Sequence, residues 1–120
     1  FETNTGWTTL VEGATTGAWE RGVPVNDAGW AYDPSADSDG SGQCYLTENA
    51  LGNTDVDGGT VRLISPVLDL SAVSEIRYDY YLNMTSPGTD FLQVDIDQND
   101  SNWVSLVSHG TDGGTSWRSS

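Results

Sequence analysis

Two acidic, glycine-terminated segments are the parts of this chain whose residue types and spacing best fit a chemical role. The first is DSDGSG at residues 37–42, and the second is NTDVDGG at residues 53–59. Carboxylates two residues apart, followed by a glycine that permits a sharp turn, can surround one hard cation with oxygen ligands. Such oxygens select calcium over zinc or copper, and magnesium resists dehydration in irregular sites. The alternative is a pair of solvated turns, because Asp and Gly are ordinary turn residues. We predict structural calcium, with these ligands: Asp37, Asp39, Asp55 and Asp57.

The sequence gives little support for a catalytic site. Asp95 and Asp97 are two residues apart on one predicted strand, which places their Cα atoms about 6–7 Å apart. That separation would suit the carboxylates of a glycosidase, but those residues usually face each other across a cleft. His109 is the single histidine, and no Gly-x-Ser-x-Gly elbow is present to supply a nucleophile. We therefore predict a non-catalytic protein in which Asp95 and Asp97 belong to a solvated sheet face and His109 lies in an exposed turn.

Aromatic residues give the best indication of a ligand. The chain has five Trp and five Tyr but only two Phe, and Trp and Tyr are favoured on half-wet surfaces because they carry polar tips. Their ring faces can stack on sugars. We assign Trp7, Trp19 and Trp117 to the core or to loop packing. The residues predicted to be exposed and to bind a glycan are Trp30, Tyr32, Tyr81 and Trp103.

Short strands separated by Gly, Asp, Asn and Ser clusters would position these residues. No segment has an apolar period of 3.6 residues long enough for a helix. The clearest alternation covers residues 75–84, where every second side chain is apolar or aromatic on one face. The pattern predicts an all-β, two-sheet antiparallel β-sandwich with a long functional loop at residues 23–42. The predicted strands are Trp7–Glu12, Ala18–Gly22, Gln43–Glu48, Thr60–Ser65, Val67–Leu70, Glu75–Met84, Phe91–Asp97, Asn102–Ser108 and one beginning at Thr115.

The amino-acid composition restricts the kinds of partner that the protein can bind and indicates where it is located. The 120 residues indicate one domain spanning 1–120, and 18 acidic residues against four Arg give a formal charge of −14. That charge repels phosphate, so we expect no nucleic-acid partner, and no apolar run is long enough for membrane insertion. Cys44 cannot form an intrachain disulfide because it is the only cysteine, and we expect it to be buried and reduced. The Asp-rich, Lys-free composition and the missing initiator Met favour a secreted, extracellular segment of a longer protein.

The order of several motifs resembles the MAM domain. These motifs are Phe1-Glu2 before Gly6-Trp7-Thr8, then Trp19, LISP at 63–66, IRYDYY at 76–81 and LQV at 92–94. MAM domains are extracellular jelly-roll sandwiches used in adhesion. WERGVP at 19–24 and the two acidic segments look closer to a bacterial relative appended to secreted proteases, polysaccharide-degrading enzymes and surface proteins. The resemblance implies a cation near the first Glu, which adds Glu2 to the predicted calcium ligands. The MAM cysteines are absent here, so disulfides do not carry over.

These observations leave three interpretations. The first is a non-catalytic, calcium-stabilised module that attaches a larger secreted protein to a glycan or a cell surface. The second is a structural assembly or adhesion module whose partner is another protein chain. The third and weakest is a hydrolase that acts through Asp95 and Asp97. Because a jelly roll takes strands from both ends of its chain, we also predict that the last strands are missing and that the sheets are completed from outside these 120 residues.

Overall fold

The computed structural model describes residues 1–72, 74–97 and 102–120 and forms eight β-strands. The predicted turn at residues 99–101 lies outside the described residues. No helix occurs in the described ranges, so none there is long and apolar enough to cross a membrane. The strands are β1 (Thr8–Glu12), β2 (Trp19–Gly22), β3 (Cys44–Thr47), β4 (Thr60–Ile64), β5 (Asp79–Tyr81), β6 (Leu92–Asp97), β7 (Trp103–His109) and β8 (Trp117–Ser119).

The strands form four antiparallel pairs: β1 with β4, β2 with β3, β5 with β8, and β6 with β7. This confirms the predicted all-β, antiparallel class. Each sheet has only two strands, so every strand has one edge without a ladder partner among the described residues. The sheets are therefore unclosed, and the arrangement of a two-sheet jelly roll remains a prediction.

The β6–β7 pair follows the sequence pattern most closely. Leu92, Val94 and Ile96 alternate along β6 and are all half-buried. The register changes between Val94, which pairs with Val107, and Asp95, which pairs with Ser105. Leu106 is therefore the extra residue of a β-bulge, which bends β7 at that point.

Two predicted strands are wrong in extent. Residues 67–70 form no strand, and the predicted strand at 75–84 is reduced to the three residues of β5. Pro66 cannot donate a backbone hydrogen bond, and Val67 directly after it is 102% exposed. Backbone bonds between Tyr78 and Ser120 extend the β5–β8 pairing by one position. A strand pattern without a partner strand leaves its backbone in solvent.

The packed core is small. The buried hydrophobic residues are Cys44, Leu46 and Met84, and the first two share one face of β3. The chain exposes 7747 Å². A compact monomer of 120 residues exposes about 6,300 Å² by the usual mass scaling. The chain therefore exposes about 1,400 Å² more than such a monomer, in keeping with its small buried core.

An ion-pair network connects two of the strand pairs. The Arg62 guanidinium on β4 lies 2.5 Å from Glu12 on β1 and 3.2 Å from Asp95 on β6. Only 10% of the Asp95 side chain is exposed, so the prediction of a solvated acidic face is wrong at this residue. The hydrogen bonds and the charges of Glu12 and Asp95 raise the pKa of Arg62, with Glu12 the larger contributor. Arg62 therefore holds β6 against the β1–β4 pair.

Candidate functional site

The first acidic segment folds into a turn around Ser41. Asp37 is 8% exposed, and its Oδ2 accepts hydrogen bonds from the Ser41 hydroxyl at 2.9 Å and from the Gly42 backbone N–H at 2.9 Å. Asp39 Oδ1 accepts a bond from the Ser41 backbone N–H at 2.9 Å. The Ser41 hydroxyl and then its N–H, with help from the Asp37 carboxyl, lower the pKa of Asp39. The loop thus holds two carboxylates side by side.

Glu2 joins this turn from the start of the chain. Its Oε1 lies 2.8 Å from the Ser41 hydroxyl and accepts a bond from the Gln43 backbone N–H at 3.0 Å. Arg21 on β2 holds the segment in place, because its guanidinium donates to the carbonyl oxygens of Phe1 and Glu2. The structure therefore brings together three of the five predicted calcium ligands: Glu2, Asp37 and Asp39.

The second acidic segment lies elsewhere. The backbone carbonyls of Asp57 and Asp55 accept hydrogen bonds from Thr15 and Thr16, at 2.8 Å and 2.9 Å respectively. These threonines precede the end of β2 at which Trp19 pairs with Thr47, whereas residues 37–42 precede Cys44 at the other end of β3. The two ends are about 10 Å apart along the strand. Asp55 and Asp57 therefore lie near the Trp19 end of the β2–β3 pair, away from the turn around Ser41.

The long loop presents two of the predicted aromatic residues together. The rings of Trp30 and Tyr32 lie 4.8 Å apart and are tilted by 51°. Tyr32 is exposed and Trp30 is half-buried. Asp27 fixes the loop, because its two carboxylate oxygens accept bonds from the backbone N–H groups of Gly29 and Gly52, at 2.8 Å each. These two bonds, that from Gly29 first, lower the pKa of Asp27.

Tyr81 of β5, Trp117 of β8 and the nearby Asn83 contact the backbone of the same loop. The Trp117 indole N–H donates to the Ala36 carbonyl at 2.9 Å, and the Asn83 amide donates to the Ala31 carbonyl at 3.3 Å. Tyr81 contacts Trp117 edge-on at 5.6 Å and reaches the Asp33 carbonyl with its hydroxyl at 3.5 Å. Tyr81 is half-buried and contacts the backbone of the loop that carries Trp30 and Tyr32.

Asp33 anchors the loop on its inner side. Its Oδ1 accepts a hydrogen bond at 2.8 Å from the hydroxyl of Thr54, which is buried. Burial of the carboxyl raises the pKa of Asp33, and the Thr54 bond opposes that shift. Thr54 gave no signal in the sequence, because its role depends on a contact with a residue 21 positions away.

Trp103, the fourth predicted ring, lies apart from the other three. It is exposed on β7, where the Arg62 guanidinium carbon is 5.6 Å from its ring centroid. It pairs with Asp97 at one end of the β6–β7 pair, while His109 and Leu92 form the other end, next to Tyr78 and Tyr80. Trp103 therefore contacts Arg62 of β4, whereas the Trp30–Tyr32 pair lies on the long loop.

His109 is not the exposed turn residue that was predicted. It is half-buried at the end of β7, where Tyr80 stacks on it at 4.1 Å and the Tyr78 hydroxyl lies 2.7 Å from its Nε2. Asp97 accepts a backbone hydrogen bond from Asn102, and Asp95 is paired with Arg62. His109, Asp95 and Asp97 therefore each contact neighbouring residues of the fold.

Comparison of the chain with known protein families, with curated proteins and with solved structures found no match in any of the three. The geometry of the described residues is therefore the basis on which a function can be argued.

Proposed function

We propose that the chain is a non-catalytic, extracellular, calcium-stabilised binding module that attaches a larger secreted protein to a glycan. The observation that carries the proposal is the pair of rings formed by Trp30 and Tyr32, 4.8 Å apart on a loop that hydrogen bonds hold from both sides. A rigid aromatic platform can stack on a sugar without first having to order a flexible loop, which lowers the entropic cost of binding.

The charge of the chain selects among glycans. A formal charge of −14 repels uronic acids, sulfates and phosphates. Asp27 lies within the platform loop and is ionised at neutral pH, since its pKa is lowered. We therefore expect a neutral polysaccharide whose hydroxyl groups donate hydrogen bonds to carboxylates and carbonyls around the rings.

Calcium belongs to this proposal at the turn around Ser41. The carboxylates of Glu2 and Asp37 converge there, and the buried position of Asp37 makes an uncompensated charge costly. Hard oxygen donors of this kind fit calcium. The described residues contain no ready-made group of three or more His, Cys, Asp or Glu arranged to hold a metal ion. A calcium ion would therefore take its remaining ligands from backbone carbonyls and water.

Binding to polysaccharides tests the proposal directly. The protein is incubated with insoluble cellulose, chitin and arabinoxylan, and the bound fraction is measured, with alginate beads as the anionic control. We expect retention on at least one neutral polysaccharide and none on alginate. The Trp30→Ala and Tyr32→Ala variants should each lose about 1–2 kcal/mol of binding, as expected for removal of a stacked ring. Trp103→Ala is the matched control and should bind like the parent chain. Equal loss in all three variants, or no retention of the parent, would refute the platform.

A second candidate function is assembly with another protein chain. The observation that favours it is the excess surface of about 1,400 Å² over a compact monomer, together with the open edge on every described strand. A standard protein interface buries about 800 Å² on each partner. The excess surface is therefore larger than the area that one partner buries in a standard interface.

A further inference from the structure

The chain contains three Asp–Gly pairs, at residues 39–40, 57–58 and 112–113. An aspartate followed by glycine can rearrange without an enzyme, because glycine has no side chain to shield its backbone nitrogen. That nitrogen attacks the carboxyl carbon of the aspartate, and a five-membered succinimide closes with loss of water. Water then opens the ring at either carbonyl and leaves aspartate or isoaspartate. The reaction needs a carboxyl group that is free to turn and a glycine N–H that is not held by an acceptor.

The first pair is protected at its carboxyl group. Asp39 Oδ1 accepts a hydrogen bond from the Ser41 backbone N–H at 2.9 Å, which aims the carboxylate at Ser41 instead of the Gly40 nitrogen. The Ser41 hydroxyl and then its N–H also lower the pKa of Asp39. Ring closure requires the neutral carboxylic acid, which can release water. The turn around Ser41 therefore keeps Asp39 in its unreactive form.

The third pair is protected on both sides. Asp112 Oδ1 accepts hydrogen bonds from the backbone N–H groups of Gly114 at 2.9 Å and of Met84 at 3.2 Å. These bonds, that from Gly114 first, lower the pKa of Asp112. The Gly113 N–H donates to the Leu82 carbonyl at 2.7 Å. Both the carboxyl group and the attacking nitrogen are therefore held by other parts of the backbone.

The second pair has neither protection. Asp57 and Gly58 are exposed, and in the described part of the chain no hydrogen bond reaches the Asp57 carboxylate or the Gly58 N–H. The Asp57 carbonyl points at Thr15, whose backbone N–H donates to it at 2.8 Å. A trans peptide carries its N–H on the side opposite its carbonyl. The Gly58 N–H therefore faces away from Thr15.

We propose that Asp57 is a site of spontaneous isoaspartate formation, and that it reacts ahead of the other two Asp–Gly pairs because the fold leaves it unprotected. When water opens the succinimide, the bond between the Gly58 nitrogen and the Asp57 main-chain carbonyl carbon breaks, and that carbon becomes a free carboxyl group. The chain then runs through the side chain of Asp57, which lengthens the backbone by one carbon atom. The modification thus replaces the peptide carbonyl that binds Thr15.

Ageing the full chain for several weeks at neutral pH tests the inference. Mass spectrometry of its proteolytic peptides, with electron-transfer fragmentation, distinguishes isoaspartate from aspartate at each position. We expect Asp57 to convert at least about tenfold faster than Asp39 or Asp112, because hydrogen bonds must break before either of these can react. In the guanidinium-unfolded chain the three rates should converge, since these hydrogen bonds are lost.

Three results would overturn the proposal. The first is equal or faster conversion of Asp39 or Asp112 in the folded chain, and the second is no conversion of Asp57. The third is an equally strong preference for Asp57 after unfolding, which would show that the neighbouring sequence selects the site and not the fold.

Two variants that keep the charge locate the reaction independently. Asp57→Glu would have to close a six-membered ring, which forms far more slowly, while Asp55→Glu changes a carboxylate of the same segment that precedes valine instead of glycine. The aged chains are labelled with isoaspartyl methyltransferase, which transfers a methyl group to isoaspartate. We expect Asp57→Glu to lose most of the label and Asp55→Glu to be labelled like the parent chain. Equal labelling of the two variants would contradict the assignment to Asp57.

Discussion

Glu2 and Asp37 share one hydrogen-bond donor, because the Ser41 hydroxyl lies 2.8 Å from Glu2 Oε1 and 2.9 Å from Asp37 Oδ2. A hydroxyl has a single hydrogen and can donate to only one of these carboxylates at a time. The other carboxylate faces the lone pairs of the oxygen and a second negative charge. This arrangement is the physical reason to expect a cation there.

Calcium should raise the thermal midpoint of the chain, and a chelator should reverse the rise. At a hundredfold excess over the dissociation constant, binding adds about 3 kcal/mol, or roughly 10 °C for a domain of this size. Asp37→Asn should abolish the response while leaving the calcium-free midpoint equal or higher, because it removes the repulsion from Glu2. Asp57→Asn, in the second acidic loop, should keep the response. If calcium leaves the thermal midpoint of the parent chain unchanged, the proposed calcium site is refuted.

Loss of Arg62 should destabilise the chain through Asp95. Arg62→Ala leaves a carboxylate that is 10% exposed without its cation. We expect about 2 kcal/mol of lost stability in urea unfolding. Adding Asp95→Asn should recover part of this loss. Arg77→Ala removes an exposed ion pair and should change stability by less than about 0.5 kcal/mol. Similar effects of Arg62→Ala and Arg77→Ala would mean that the network does not join the strand pairs.

A methyl group at Gly17 should be poorly tolerated. Gly17 is buried with φ +80°, and an added Cβ would lie 2.7 Å from the Asp55 carbonyl oxygen and from the Val56 Cα. The backbone of the second acidic loop cannot move away as a side-chain end could. We expect Gly17→Ala to cost more than about 2 kcal/mol. Gly52→Ala, at φ +91° with open space around it, should cost only about 1 kcal/mol. Equal costs would show that the loop does not pack on Gly17 as described.

The Cys44 thiol should be unreactive in the folded chain. Burial, followed by the Asp37 charge, raises the pKa of Cys44 from 9.0 to about 11. At pH 8 the folded chain should react with a thiol reagent at least about a hundredfold more slowly than the urea-unfolded chain, because the thiolate reacts. The thiol in the folded chain stays protonated up to a higher pH than the thiol in the unfolded chain. The contribution of this raised pKa to the free energy of unfolding is therefore complete below pH 9 and is lost as the pH rises towards 11. Comparable rates in the two states would contradict the buried position.

The sequence predicted elements better than it predicted their pairing. The strand at 92–97 has a strict apolar alternation and a nearby partner in β7, and it was predicted with nearly the right bounds. The segment at 75–84 has an equally clear pattern but forms only a three-residue ladder, because β8 supplies just three partners. Local alternation shows what a strand would bury, while pairing depends on which distant segment is available.

The candidate site was foreseen in part for the same reason. Residues 37–42 form their turn locally, so the closeness of Asp37 and Asp39 followed from spacing alone. The separation of Asp57 from this turn depends on β3 pairing with β2, which no local signal specifies. The burial of Asp95 likewise requires Arg62, 33 residues away.

The claim that the Trp30–Tyr32 platform binds a neutral glycan can be tested by following the five tryptophan indole N–H signals in two-dimensional NMR spectra. Cellohexaose, chitohexaose and xylohexaose are added in turn to the calcium-loaded protein. We expect at least one oligosaccharide to shift the Trp30 signal in a saturable way, while the Trp103 signal stays in place. A saturable shift of Trp103 without Trp30, or spectra unchanged by all three sugars, would contradict it.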